Sequence, residues 1–227
     1  MTGINDNEAV DDLWDALDGT PGRPWLDDAV ASVRKEPASI ARHFPAAGRH
    51  TGRETLPAEP GWTADQAARA VLLDALLATP GGPDQVAELY RYGDSREKLA
   101  MLTAFSILPE APDEQVVPIL RDALRTNDTR LVAAALGPVA DRLDDDAWRQ
   151  GVLKCVFMGV PLAGIHGLHD RGDDGLALML AGLAEERAAA GRDFPEDAAA
   201  LLTDLRRDDR AGTGQERDAA PRPGDAG

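Results

Sequence analysis

The side chains most able to do chemistry fall first in a short basic stretch. Between Ser32 and Arg53 lie Arg34, Lys35, Arg42, Arg49 and Arg53, with His43 and His50, against the single acid Glu36. Guanidinium forks suit carboxylate and phosphate, and glycines let a backbone approach an anion closely. Phe44-Pro45-Ala46-Ala47-Gly48-Arg49-His50-Thr51-Gly52-Arg53 is rich in glycine and proline, which predicts a surface loop rather than a helix. Arg42, Arg49 and Arg53 on such a loop could hold an anionic ligand, or could pair with acids of the body and pin the loop down.

A second group is Gly151-Val152-Leu153-Lys154-Cys155-Val156-Phe157-Met158-Gly159-Val160-Pro161-Leu162. A helix apolar on all sides belongs inside a protein, so Lys154 is the anomaly. It must reach water along its stem, pair with a carboxylate, or lose its charge. Cys155, Phe157, Met158 and Gly159 would line an apolar pocket beside it. Gly151 and Gly159 mark close packing or room for a ligand, and Pro161 ends or bends the helix. A third group, His166-Gly167-Leu168-His169-Asp170 with Asp173 and Asp174, places two imidazoles three residues apart, where a helix would turn them to one side. Metal-binding helices more often use histidines four apart, and capping by Asp170 with ordinary surface histidines accounts for the pattern as well. No glycine-rich phosphate loop, serine elbow or zincin motif is present, and no cofactor is indicated.

The chain that must position these groups has 227 residues, with 40 acids against 24 bases and a net charge of -16. Such a surface repels nucleic acid. The longest apolar run, Cys155 to Ile165, falls well short of the roughly 20 residues a spanning helix needs. The acidic start lacks the basic and apolar regions of a secretory signal, and the single Cys155 forms no internal disulfide, so a cytoplasmic location is expected.

Helical spacing recurs throughout, while two-residue alternation of β-branched residues is absent. Asp94-Ser95-Arg96-Glu97 opens a helix through Leu99, Leu102, Ile107 and Leu108 that Pro109 ends. Further starts fall near Asp113, Asp128 and Asp144, and earlier helices span Glu8 to Leu17, Trp25 to Lys35, Thr63 to Leu77 and Asp84 to Tyr92. Asp173 leads another, and Pro195-Glu196 a last one ending near Leu205. The regular spacing predicts an all-α fold, a HEAT-like stack of antiparallel helix pairs or an irregular helical bundle. It divides into an acidic segment 1–22, a single helical domain 23–205, and a tail 206–227 expected to be disordered.

Arg121-Asp122-Ala123-Leu124-Arg125-Thr126-Asn127-Asp128 and Leu131-Val132-Ala133-Ala134-Ala135-Leu136-Gly137 resemble the EboA family. Trp148-Arg149-Gln150 and the string Lys154 to Leu162 strengthen the resemblance, and Asp94 to Leu99 and the stretch around Phe44, Arg49 and Arg53 extend it over most of residues 25–205. The resemblance implies a place in secondary metabolism beside a membrane prenyltransferase of the UbiA type, in the movement of precursors. It carries no catalytic residue onto this chain.

The reading that follows is a non-catalytic accessory protein binding a small anionic or prenylated metabolite through Arg42, Arg49, Arg53 and the group from Lys154 to Gly159, with pathway proteins as possible partners. The alternatives are a scaffold presenting an acidic helical surface to another protein, and an enzyme using Lys154 or Cys155.

Overall fold

The computed structural model describes the backbone of residues 7–217 and the side chains as far as 207. Eleven α-helices account for its regular structure: α1 (Glu8–Ala16), α2 (Arg23–Lys35), α3 (Ile40–His50), α4 (Ala64–Leu77), α5 (Pro83–Tyr92), α6 (Ser95–Ala104), α7 (Asp113–Ala123), α8 (Thr129–Ala135), α9 (Asp145–Met158), α10 (Asp174–Ala189) and α11 (Glu196–Arg217). Among the described residues there is no strand, only an isolated bridge between Thr55 and Thr63. The all-α expectation is met.

Most starts lie where a capping residue placed them. The Asp94 carboxylate accepts from the backbone N–H of Arg96 and Glu97 at 2.8 and 2.9 Å, and Glu97 returns a bond to Asp94 N–H. Asp128 accepts from Arg130 N–H, and Asp173 from Leu176 N–H. Thr63 N–H donates to Gln66 Oε1 at 3.1 Å as α4 begins. Ends were harder to place. The apolar spacing carried α6 on to Leu108, but it stops at Ala104, and Leu108 is buried in the irregular segment that follows. Its carbonyl accepts from Ala111 N–H at 3.2 Å and from Arg142 Nη2 at 3.0 Å. The last helix, placed to end near Leu205, continues as α11 to Arg217, and the expected disorder beyond that lies outside the described residues.

Packing divides the chain into two compact units, residues 1–144 and 145–227. In the first, α4 is the hub, with α1, α2, α3 and α6 packed on it. Eleven of its 14 residues are buried, so it is apolar nearly all round. Full burial of Leu72, Leu73 and Leu76 contributes about 1.5–3 kcal/mol each. Helices two apart in sequence pack together, α2 on α4, α4 on α6, α6 on α8 and α5 on α7. α1 and α3 also pack on α4 and depart from a regular repeat. Val10 and Leu13 bury the inner face of α1, so residues 8–16 join the first unit rather than standing apart.

Two charged residues break the apolar surface of α4. Asp65 and Arg69, one turn apart, have side chains 7 % and 5 % exposed. Asp65 Oδ2 accepts from Arg69 Nη1 at 2.6 Å, and its other oxygen accepts from Thr63 Oγ1 at 2.7 Å. Arg69 Nε donates to the Phe44 carbonyl at 3.2 Å, and the guanidinium lies 5.6 Å from the Phe44 ring centroid. The pair therefore fastens α3 to α4.

In the second unit, Trp148 on α9 is fully buried. Its Nε1 donates to the His166 carbonyl at 3.1 Å, and the Arg171 guanidinium lies 4.9 Å from its ring centroid. Arg149 bonds Asp146 at 2.6 Å and Asp173 at 2.9 Å, joining α9 to the start of α10. Asp197 on α11 accepts from Leu162 N–H at 3.0 Å.

Replacing Arg69 with Met leaves the buried Asp65 carboxylate without its cation, and should lower stability in urea unfolding by about 3–5 kcal/mol. A loss under about 1 kcal/mol, the scale of a surface pair, would show that this pair does not hold α3 in place. A second expectation concerns Asp74, whose carboxyl is pushed up to about 6, chiefly by burial and then by Glu110, with Asp11 adding and Arg34 opposing. Its folded value lies above the ordinary one, so the group favours the folded state below about 4 and that contribution is lost as the pH rises through about 6. Asp74→Asn should raise the melting temperature above pH 6 and flatten its dependence on pH between 4 and 6. An unchanged profile would contradict the assignment.

Candidate functional site

The basic stretch is a helix, not a loop. Residues Ile40–His50 form α3 with Pro45 inside it. Ile40, Phe44 and Ala47 pack inward at helical spacing, and this burial together with the Arg69 bond to the Phe44 carbonyl outweighs the local preferences of Pro45 and Gly48. Pro45 has no N–H for the Ala41 carbonyl four residues earlier; Ala41 and Pro45 are both on the exposed side. Gly48 lies beside the Arg53 and Asp65 side chains. A Cβ there would come within 3.2 Å of Arg53 Nε and 3.5 Å of Asp65 Oδ2. Gly52, at φ 81°, turns the chain after the helix, and Arg53 folds back over Gly48.

The helix sorts its polar residues by face. Arg42 and Arg49, seven apart and so separated by two turns or about 10 Å, share the exposed ridge. His43 and His50 form the neighbouring stripe and meet Trp25 of α2. The His50 ring stacks on Trp25 with centroids 4.5 Å apart and planes 4° apart, and His43 lies 6.2 Å away. Arg42 Nη2 donates to His43 Nε2 at 3.2 Å. Burial first, then the charges of Arg42 and His50, hold His43 below the usual imidazole range, which keeps it neutral and able to accept that bond.

On the other side of the ridge is a pocket of about 130 Å³, walled by Ile40, Ala41 and Pro45 of α3 and by Leu89 and Tyr92 of α5, with Glu88 and Glu97 at its edge. That is room for about four water molecules, or one short apolar group. Among the described residues none of Arg42, Arg49 and Arg53 makes an ion pair, in a chain with 40 acids. The alternative in which these arginines pair with acids of the body is not what the described residues show. Sequence reasoning found the arginines but missed Trp25 and this pocket; the Trp25 spacing to His43 and His50 becomes readable only once the stretch is known to be helical.

The group on α9 belongs to the second unit. Cys155 is fully buried and its thiol is pushed up to about 11 by burial, with Lys154 opposing. Lys154 and Met158 are half-buried. Phe157, expected inside, is 67 % exposed, so α9 is not buried all round. Gly159 has a conformational role: it sits at φ 71° where α9 ends, Val160 N–H donates to the Cys155 carbonyl at 2.9 Å, and a Cβ on Gly159 would meet nothing within 4 Å. Close packing does not explain it. Residues 166–171 form turns rather than a helix, and Asp173 is engaged by Arg149, whose hydrogen bond holds its carboxyl below the usual range. Among the described residues no cluster of three or more histidine, cysteine or acidic side chains is placed to hold a metal, and no helix is long and apolar enough to cross a membrane.

The described residues thus form an all-helical fold in which the α3 ridge lies between an aromatic stack and a small apolar pocket. A family profile described as metabolite traffic protein EboA matches residues 53–202. The chain belongs to the EboA family. Of the basic group, Arg53 lies inside the matched residues, and the α9 group lies there entirely. No curated protein and no solved structure matches the chain.

The state of Cys155 is directly measurable. A maleimide at pH 7 should leave it unmodified in the folded protein and label it once the chain is unfolded. Fast labelling of the native protein would show an accessible thiolate and revive a cysteine-based reaction.

Proposed function

We propose that this protein is a non-catalytic carrier or presenter of a small anionic metabolite, held by its charged group on the α3 ridge. The observation that carries the reading is the set of exposed guanidiniums of Arg42, Arg49 and Arg53 with no ion pair among the described residues. Exposed arginines at the end of a helix also offset its dipole, which accounts for Arg49 but not for Arg42 near the helix start or for Arg53 beyond its end. The pocket wall of Ile40, Ala41 and Pro45 adjoins the ridge, so an anion carrying a short branched apolar group has a place for both parts. The stacked Trp25 and His50 rings would cover the opposite side. The family's description as a metabolite traffic protein agrees with binding without chemistry. The buried, neutral Cys155 thiol argues against a cysteine nucleophile.

The scaffold reading draws on one observation. Phe157 and Leu178 are large apolar side chains exposed in the second unit, and α10 buries only Leu176 and Leu180 of its apolar residues. A partner protein seated there would bind without help from the arginines.

Dimethylallyl diphosphate, inorganic pyrophosphate and 3-methylbut-2-en-1-ol separate the contributions of charge and apolar group. By calorimetric titration the diphosphate ester should bind more tightly than either of the others. Arg42→Ala and Arg49→Ala should each weaken it about tenfold or more, as expected for charged hydrogen bonds, with helicity retained. Binding by both variants as tight as by the parent chain would refute the ridge as the site. Loss of helicity instead would show that the arginines are structural.

A further inference from the structure

Arg42 and His43, consecutive residues of α3, share a hydrogen bond that only one protonation state permits. Arg42 Nη2 lies 3.2 Å from His43 Nε2. A guanidinium has donors and no acceptor, so the imidazole nitrogen is the acceptor and carries no proton. Once the ring is protonated both of its nitrogens donate, and two donors of like charge face one another. The bond and the imidazolium therefore exclude each other. Among the described residues Arg42 makes no ion pair, so the neutral ring is what holds its guanidinium.

The surroundings favour the neutral ring. On its own helix, His43 faces the charge of Arg42 and the second imidazole, His50. Of the elements packed on α3, α2 brings the uncharged Trp25 ring, with centroids 6.2 Å apart. The charges of α4 that reach α3, Asp65 and Arg69, are bound to each other and to the Phe44 carbonyl. Residues 37–39, Pro-Ala-Ser, carry no charge. None of these groups offers a free carboxylate to an imidazolium, and burial, then Arg42 and His50, hold His43 below the usual imidazole range.

We infer that His43 is a proton-linked latch on the α3 ridge: neutral, it holds Arg42; protonated, it gives Arg42 up to a bound anion and adds its own positive charge. The inference rests on the ridge being the anion site and names how that site is regulated. An anion on the ridge supplies the negative charge that the ring lacks, and so favours the imidazolium. By linkage, the proton favours the anion by the same factor. Anion and proton then load together, and both leave as the pH rises.

The test needs a ligand whose own charge is constant, and 3-methylbutyl sulfate is a monoanion at both pH values used. Calorimetric titration of the full chain in 0.15 M salt screens the acidic body beyond about 8 Å. The ester should bind about three- to tenfold more tightly at pH 5.5 than at pH 8, tenfold being the effect of an imidazole pKa raised by one. His43→Gln, whose amide oxygen accepts from Arg42 but takes up no proton, should lose that dependence with helicity retained. In the parent chain the His43 Cε1–H resonance should titrate at higher pH with saturating ester than without it. Equal affinity of the parent chain at the two pH values, an unmoved His43 titration, or the full dependence kept by His43→Gln would each overturn the latch and leave the ridge standing. No binding at either pH would defeat the ridge itself, and the latch with it.

Discussion

The first unit depends on one buried ion pair. Asp65 and Arg69 are charges on a helix otherwise packed on nearly every side, and each is tolerated because it is paired with the other and hydrogen-bonded. Asp65 is satisfied by Thr63 and Arg69, and Arg69 in turn holds the Phe44 carbonyl. That last bond crosses from α4 to α3. It fixes the position of a helix whose sequence, with a proline and a glycine in its middle, has weak reason to be helical alone. The polar contact sets the geometry, while the apolar contacts of Phe44, Ile40 and Ala47 supply most of the attraction.

Once α3 is fixed, its exposed ridge follows. Three faces of one short helix do three things: the inner face packs on α4, one flank closes a pocket with α5, and the other stacks histidines on Trp25. Arg42 and Arg49 occupy the remaining ridge, where no acid among the described residues forms an ion pair with them. In a protein of net charge -16 that is a departure from the surface at large, and long-range repulsion of anions by the body makes the local arrangement the more necessary.

Much of the fold could be read from the chain because caps are local. Asp94, Asp128 and Asp173 each bond a backbone N–H two or three residues on, and such bonds leave a pattern in the sequence. Helix ends are less legible: α6 stops at Ala104 although apolar spacing continues, and Leu108 is buried in the irregular segment beyond it, its carbonyl held by Ala111 N–H and by Arg142, distant in sequence. The arginines of the candidate site are visible as a reversal of charge, but their setting is not, because proline and glycine locally favour a loop and the burial that overrides them comes from α4. Phe157 shows the opposite error, an apolar residue placed inside by pattern and found exposed.

The central claim is that the α3 ridge holds an anionic small molecule. Native mass spectrometry of freshly purified protein, beside the same sample denatured and a doubly substituted Arg42→Ala, Arg49→Ala chain prepared in parallel, tests it most directly. The account predicts a bound anionic species on the parent chain that is absent from the substituted one. The same species retained in equal amount by the substituted chain would contradict it.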